Sequence, residues 1–123
     1  MSRQLKLRGD PPESAILYGA LKLLALHPAV AWHVRMNSGA AINPRGQYMR
    51  FGFQGCPDII GQLKSGTFFA LEIKAPGKKL SRAQELFLGI VREAHGLAWC
   101  VSNLDDLAKN LSVADQRQSR LPS

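Results

Sequence analysis

The sequence predicts an α/β domain, a mixed β-sheet flanked by helices, and three observations carry that expectation. Two stretches with helical spacing of apolar residues open on capping signatures, "DPPE" at 10–13 and "SRAQ" at 81–84. Between them lie strand-like segments that end in "PDIIGQL", "KSG" and "TFFALEIKA", the pattern of a β-hairpin. A further apolar strand, "LAWCVS", follows the second helix and is itself followed by helix-like residues.

Each element has a local reason. In the first helix Asp10 is the expected N-cap, Pro11 and Pro12 fill the first turn, and Glu13 takes the capping-box position. The helix runs to about His27, ahead of Pro28, with Ile16, Leu17, Ala20, Leu21 and Leu24 as its apolar stripe. "AVAWHVRMN" reads as a strand, "SGAAINPRG" as a loop, and "QYMRFGF" as a second short strand interrupted by Arg50 and Gly52. After the turn "PGKK", the second helix starts at Ser81 and is closed by Gly96, its apolar face formed by Ala83, Phe87, Ile90, Val91 and Ala94. "LDDLAKNL" makes a last short helix, and from Ser112 onward the polar tail carries no periodic signal. At 123 residues the chain has room for one domain, with a core over about 10–111 and flexible basic termini.

Composition excludes some classes. Hydrophobic residues make up 46% and charged residues 20%, so the chain as a whole is not disordered. Sixteen Lys and Arg against nine Asp and Glu give +7, clustered in "SRQLKLR", "KAPGKK" and "QRQSR". That balance suits a polyanion, nucleic acid before membrane, or else a solvated basic surface. No apolar run has the length of a signal peptide or membrane span, so a cytoplasmic protein is expected. Cys56 and Cys100 form no C-x-x-C pair and have no His at zinc-ligand spacing, which predicts reduced thiols packed as small hydrophobes. His27, His33 and His95 form neither a triad nor a metal set.

The chemistry concentrates in the hairpin. In "TFFALEIK" side chains alternate, so Glu72 and Lys74 share one face while Leu71 and Ile73 take the other. If "PDIIGQL" pairs back on that strand, Asp58 comes beside the end that carries Glu72 and Lys74. Two partly buried carboxylates repel unless something positive lies between them, and hard oxygen ligands suit Mg²⁺ or Mn²⁺ better than zinc. Lys74 could then hold an attacking water or balance charge on a phosphorane-like transition state. The plainer alternative is a turn-capping Asp and a solvated E-x-K ion pair. Glu13 lies on the buried stripe of its helix, so it either faces this cluster or closes the capping box with Asp10. Gln84 stands on the first turn of the second helix, where its amide either bonds a water or phosphate or closes the capping box with Ser81.

Taken together, Glu13, Gly55-x-Pro57-Asp58, Glu72-Ile73-Lys74 and Leu80-Ser81-x-x-Gln84 resemble the VRR-NUC branch of the PD-(D/E)xK nuclease superfamily, over about residues 10 to 107. The resemblance implies a restriction-endonuclease-like core and a metal-dependent endonuclease that cuts DNA and leaves a 5′-phosphate and a 3′-hydroxyl. It implies that Asp58, Glu72 and the Ile73 carbonyl bind Mg²⁺ or Mn²⁺, that Lys74 positions the water, that Glu13 completes the shell or acts through water, and that Gln84 assists. Its small, stand-alone, phage-type members further imply a homodimer acting on branched DNA such as four-way junctions. One departure is a longer segment before the signature, "RMNSGAAINPRGQYMRFGFQG". There Arg35, Asn37, Arg45 and Arg50 alternate with Tyr48, Phe51 and Phe53, a mixture suited to phosphate contacts and to stacking on splayed bases, or else a strand and loop with core aromatics. Lys78 and Lys79 add a second basic stretch expected to face DNA.

Overall fold

The computed structural model describes residues 11–37 and 39–119. In chain order the elements are α1 (Glu13–Leu26), β1 (Val30–Arg35), β2 (Gly39–Ile42), β3 (Tyr48–Phe51), β4 (Ile59–Leu63), β5 (Phe68–Ile73), α2 (Arg82–Glu93), β6 (Leu97–Val101) and α3 (Leu104–Ser119). The main sheet is mixed and runs β1-β4-β5-β6. The first three strands are antiparallel neighbours, and β6 returns parallel to β5 through α2, as a parallel pair requires.

Helices cover both faces of this sheet. On one face Ile16, Ala20 and Leu24 of α1 and Leu107, Leu111 and Ala114 of α3 close on Ile59, Leu63, Phe69, Leu71, Ile73 and Val101. On the other, Leu88 and Val91 of α2 pack on Ala70 and Ala98. That helix covers only the β5–β6 half of its face. The β1–β4 half is open, with Trp32 and Val34 of the edge strand exposed. Trp32 Nε1 donates to the cross-strand Gln62 Oε1 at 2.9 Å, which fixes the indole there.

The structure departs from the sequence reading at several points. The segment expected as a loop contains β2, which pairs with β3 in a separate two-stranded hairpin. Its turn is organised by Asn43, whose Oδ1 accepts from the Arg45 and Gln47 amides at 3.0 and 2.9 Å; the polar Ala- and Gly-rich sequence hides a strand that has no buried face to pattern. The first helix has Pro12 as its N-cap, with no side-chain cap, and Asp10 lies outside the described residues. At the end of α2 the left-handed residue is His95, φ +68°, not Gly96. Gly96 is required for a different reason, since a Cβ there would come within 2.7 Å of Val91.

The apolar face of α2 is rotated from the expected one. Leu88 is buried with Val91, while Ile90 and Ala94 are exposed. The last helix continues well past residue 111, because Leu107, Leu111 and Ala114 keep one stripe on the core. Cys56 is buried as expected, whereas Cys100 is exposed. The reading of flexible basic termini falls at the N-terminus outside the described part, but at the C-terminus residues 112–119 continue α3. No helix among the described residues is long and apolar enough to cross a membrane.

Candidate active site

The β4–β5 register sets the site. Ile59 pairs with Leu71 and Ile60 with Ala70, so one step further puts Asp58 opposite Glu72. In the same row Glu72 pairs with Cys100 of β6, and the Met36 amide donates to the Asp58 carbonyl at 2.7 Å. Since Ala70 faces α2, alternation places Glu72 and Lys74 on that face as well, as their spacing predicts.

Asp58 is held in place by its strand partner. Its Oδ2 accepts from the Ile73 amide at 2.7 Å, and Pro57, which the register puts opposite Ile73, has no N–H to donate to the Ile73 carbonyl. A paired strand residue turns its N–H and C=O to the same side. The Ile73 carbonyl therefore faces the Asp58 side of β5. Gly55, which opens the motif, has φ +84°, and a Cβ there would come within 2.7 Å of the Ala83 carbonyl carbon. Close backbone contact between the approach to Asp58 and the first turn of α2 thus demands glycine.

Glu72 is 3% exposed, and its Oε2 has no hydrogen-bond partner among the described residues. Burial pushes its pKa up to about 8; contact with the Asp58 carboxyl and the charges of Asp58 and Glu13 push the same way, and Lys74 pulls it down. Glu13 reaches this neighbourhood from α1, where its Oε2 accepts from the Ala75 amide at 3.2 Å just beyond β5. Cys100, although exposed overall, has its thiol pKa raised by partial burial and then by Glu72. Asp58, Lys74 and Glu13 are therefore all within electrostatic reach of Glu72.

For the other expected participants the structure selects among the alternatives, and for Gln84 it selects the capping box with Ser81. Gln84 closes the capping box: its Oε1 accepts from the Ser81 amide at 2.8 Å and its own amide donates to Ser81 Oγ at 3.1 Å. Its side-chain carbonyl is thereby committed to helix geometry. Arg35 lies over the Tyr18 ring of α1 at 5.9 Å, on the sheet face opposite Glu72. Asn37 is exposed between β1 and β2, Arg45 occupies the tip of the β2–β3 hairpin, and Lys78 and Lys79 are exposed in the loop leading to α2.

Between the β2–β3 hairpin and the start of α2 lies a cleft of about 520 Å³. Tyr48, Arg50, Phe53, Arg82 and Gln84 line it, together with the Gly55–Cys56 backbone that leads to Asp58. Phe53 leans on Phe87 of α2, ring centroids 4.9 Å apart, and is still 44% exposed. Arg82 was not singled out by sequence, where it reads as an ordinary helix-start residue.

Among the described residues, no set of three or more His, Cys, Asp and Glu side chains converges as a ready-made metal shell. The donors at hand are the Asp58 and Glu72 carboxyls and the Ile73 carbonyl. That set fits a hard cation which completes its shell with water. The orphaned, buried Oε2 of Glu72 is the observation in its favour. Comparisons with protein-family models, with curated proteins and with solved structures find no match for this chain.

Proposed function

We propose that the protein is a Mg²⁺- or Mn²⁺-dependent endonuclease that hydrolyses phosphodiester bonds in structured DNA, of the VRR-NUC type within the PD-(D/E)xK superfamily. The observation that carries this reading is the pair formed by Asp58 and the buried Glu72, whose Oε2 lacks a partner among the described residues. Such a carboxylate is relieved either by a proton or by a cation. The order of a helix, antiparallel strands, a crossover helix and a parallel strand, with the acids and Lys74 at the strand ends, supports the superfamily assignment.

Asp58, Glu72 and the Ile73 carbonyl would hold the cation. When bound, it lowers the pKa of coordinated water and offsets charge on the phosphate. The Ile73 amide keeps the Asp58 carboxylate oriented for that role. Lys74, on the same face as Glu72, orients the attacking water and places positive charge beside the pentacoordinate phosphorus. Glu13, anchored on the Ala75 amide, adds negative charge on the α1 side and can reach the site through water. The net charge of +7 and the basic cleft favour DNA as the partner. A homodimer would offer two such sites to a four-way junction.

The test is cleavage of a labelled four-way junction with Mg²⁺, Mn²⁺ or EDTA, wild type beside Lys74→Ala. Metal-dependent cutting that falls about 10²-fold or more in the variant is the expected result. Tight binding without cutting under either metal would overturn the enzyme reading in favour of a non-catalytic DNA-binding module, the reading that the basic cleft alone would support. In a panel of flap, linear duplex, single strand and RNA, preference for one linear duplex sequence would sink the branched-DNA assignment.

A further inference from the structure

We propose that the cleft between the β2–β3 hairpin and α2 takes one unpaired nucleotide of the DNA strand, next to the phosphate that is cut. The inference rests on the nuclease reading and names what the site recognises: a local loss of base pairing. The cleft opens within three residues of Asp58 along the chain, because Gly55 and Cys56 form part of its wall. At about 520 Å³ it falls within the range of about 300–1,000 Å³ typical of sites for compact ligands.

Its lining is chemically divided. Tyr48 and Arg50 project from the same side of β3, and opposite Arg50 the partner strand contributes only Ala40, with Gly39 beside it, leaving room. Phe53 is braced by Phe87 on one side and bares the rest of its ring. Arg82 stands at the start of α2, across from the hairpin. Exposed aromatic rings in a concavity engage bases only when the bases have left the stack, whereas guanidinium groups engage phosphates in any strand. A fully paired strand would use the arginines and leave both rings unused. An unpaired nucleotide satisfies both sets, with its base on Phe53 and Tyr48 and its phosphates on Arg50 and Arg82.

The experiment uses the full chain in EDTA and two oligonucleotide duplexes that carry 2-aminopurine, one in a short unpaired bulge and one fully paired. The unpaired probe should lose fluorescence on binding and the paired one should not. Tyr48→Ala, at a ring 66% exposed and so removable without disturbing the core, should weaken bulge binding about tenfold or more and leave paired-duplex binding nearly unchanged. Arg82→Ala should weaken both and flatten the salt dependence. Equal affinity for both probes, or Tyr48→Ala binding like wild type, would overturn the inference. Adding Mg²⁺ separates the two readings: cutting without quenching leaves the nuclease and removes the unpaired-nucleotide site, and quenching without cutting does the reverse.

Discussion

Replacing Glu72 with Gln should abolish a pH dependence of stability that the metal-free wild type displays. The Glu72 carboxyl has its pKa raised from 4.5 to about 8, chiefly by burial and then by Asp58. Between those values the folded protein retains a proton that the unfolded chain has released. The contribution of Glu72 is therefore fully present below about pH 4.5 and is lost as pH rises through about 8. A displacement of that size corresponds to about 5 kcal/mol between the protonation states of Glu72. Against a total stability of roughly 5–15 kcal/mol for a small domain, the loss is large. Urea unfolding in EDTA, repeated across this pH range, measures it directly. Glu72→Gln keeps the shape and carries no titrating proton, so its stability should stay nearly level. Adding Mg²⁺ or Mn²⁺ should restore the wild type at the alkaline end, since the cation takes the place of the proton, and should do little for the variant. A wild-type stability that is flat or rises with pH in EDTA, or a Gln variant that retains the slope, would refute the reasoning.

Two structural predictions accompany it. Gly55→Ala should destabilise by about 1–3 kcal/mol in chemical denaturation, because its left-handed backbone and the Ala83 main chain leave no room for a Cβ; a neutral result would mean that the Gly55–Ala83 contact does not position Asp58. Leu111→Ala, a fully buried position on α3, should cost about 2–5 kcal/mol, and a loss below about 1 kcal/mol would show that α3 is not part of the core.

The mixed α/β class and the placing of Asp58, Glu72 and Lys74 at adjoining strand ends could be read from the chain because they rest on local periodicity. Alternation in "TFFALEIK" placed Glu72 and Lys74 on one face, and turn residues at "KSG" fixed a hairpin that carries Asp58 to Glu72. Elements with no buried face were less legible. The β2 strand has all four residues exposed, so no alternation marks it. On α2, Leu88 and Ile90 stand about 160° apart around the helix axis, on opposite sides of Val91, and the position of the sheet decides which of them is turned into the core. The end of α3 is not legible because its core residue is the small Ala114 while the larger Val113 beside it is exposed, so no apolar stripe marks it until it is seen against the core.

By itself the sequence determined which residue types recur at which spacing: two helices with apolar stripes, the second opened by a capping box, a hairpin, and an acid, an acid and a lysine at its strand ends. Only the tertiary structure decided how those groups are used. It turned Arg35 away onto Tyr18, drew Glu13 to the Ala75 amide, and brought Arg82 across from Tyr48 and Arg50 to make a cleft. The physical reason is common to all three. Spacing along the chain sets the face on which a side chain starts, but burial, charge and hydrogen-bond partners come from segments distant in sequence, and those govern what the side chain does.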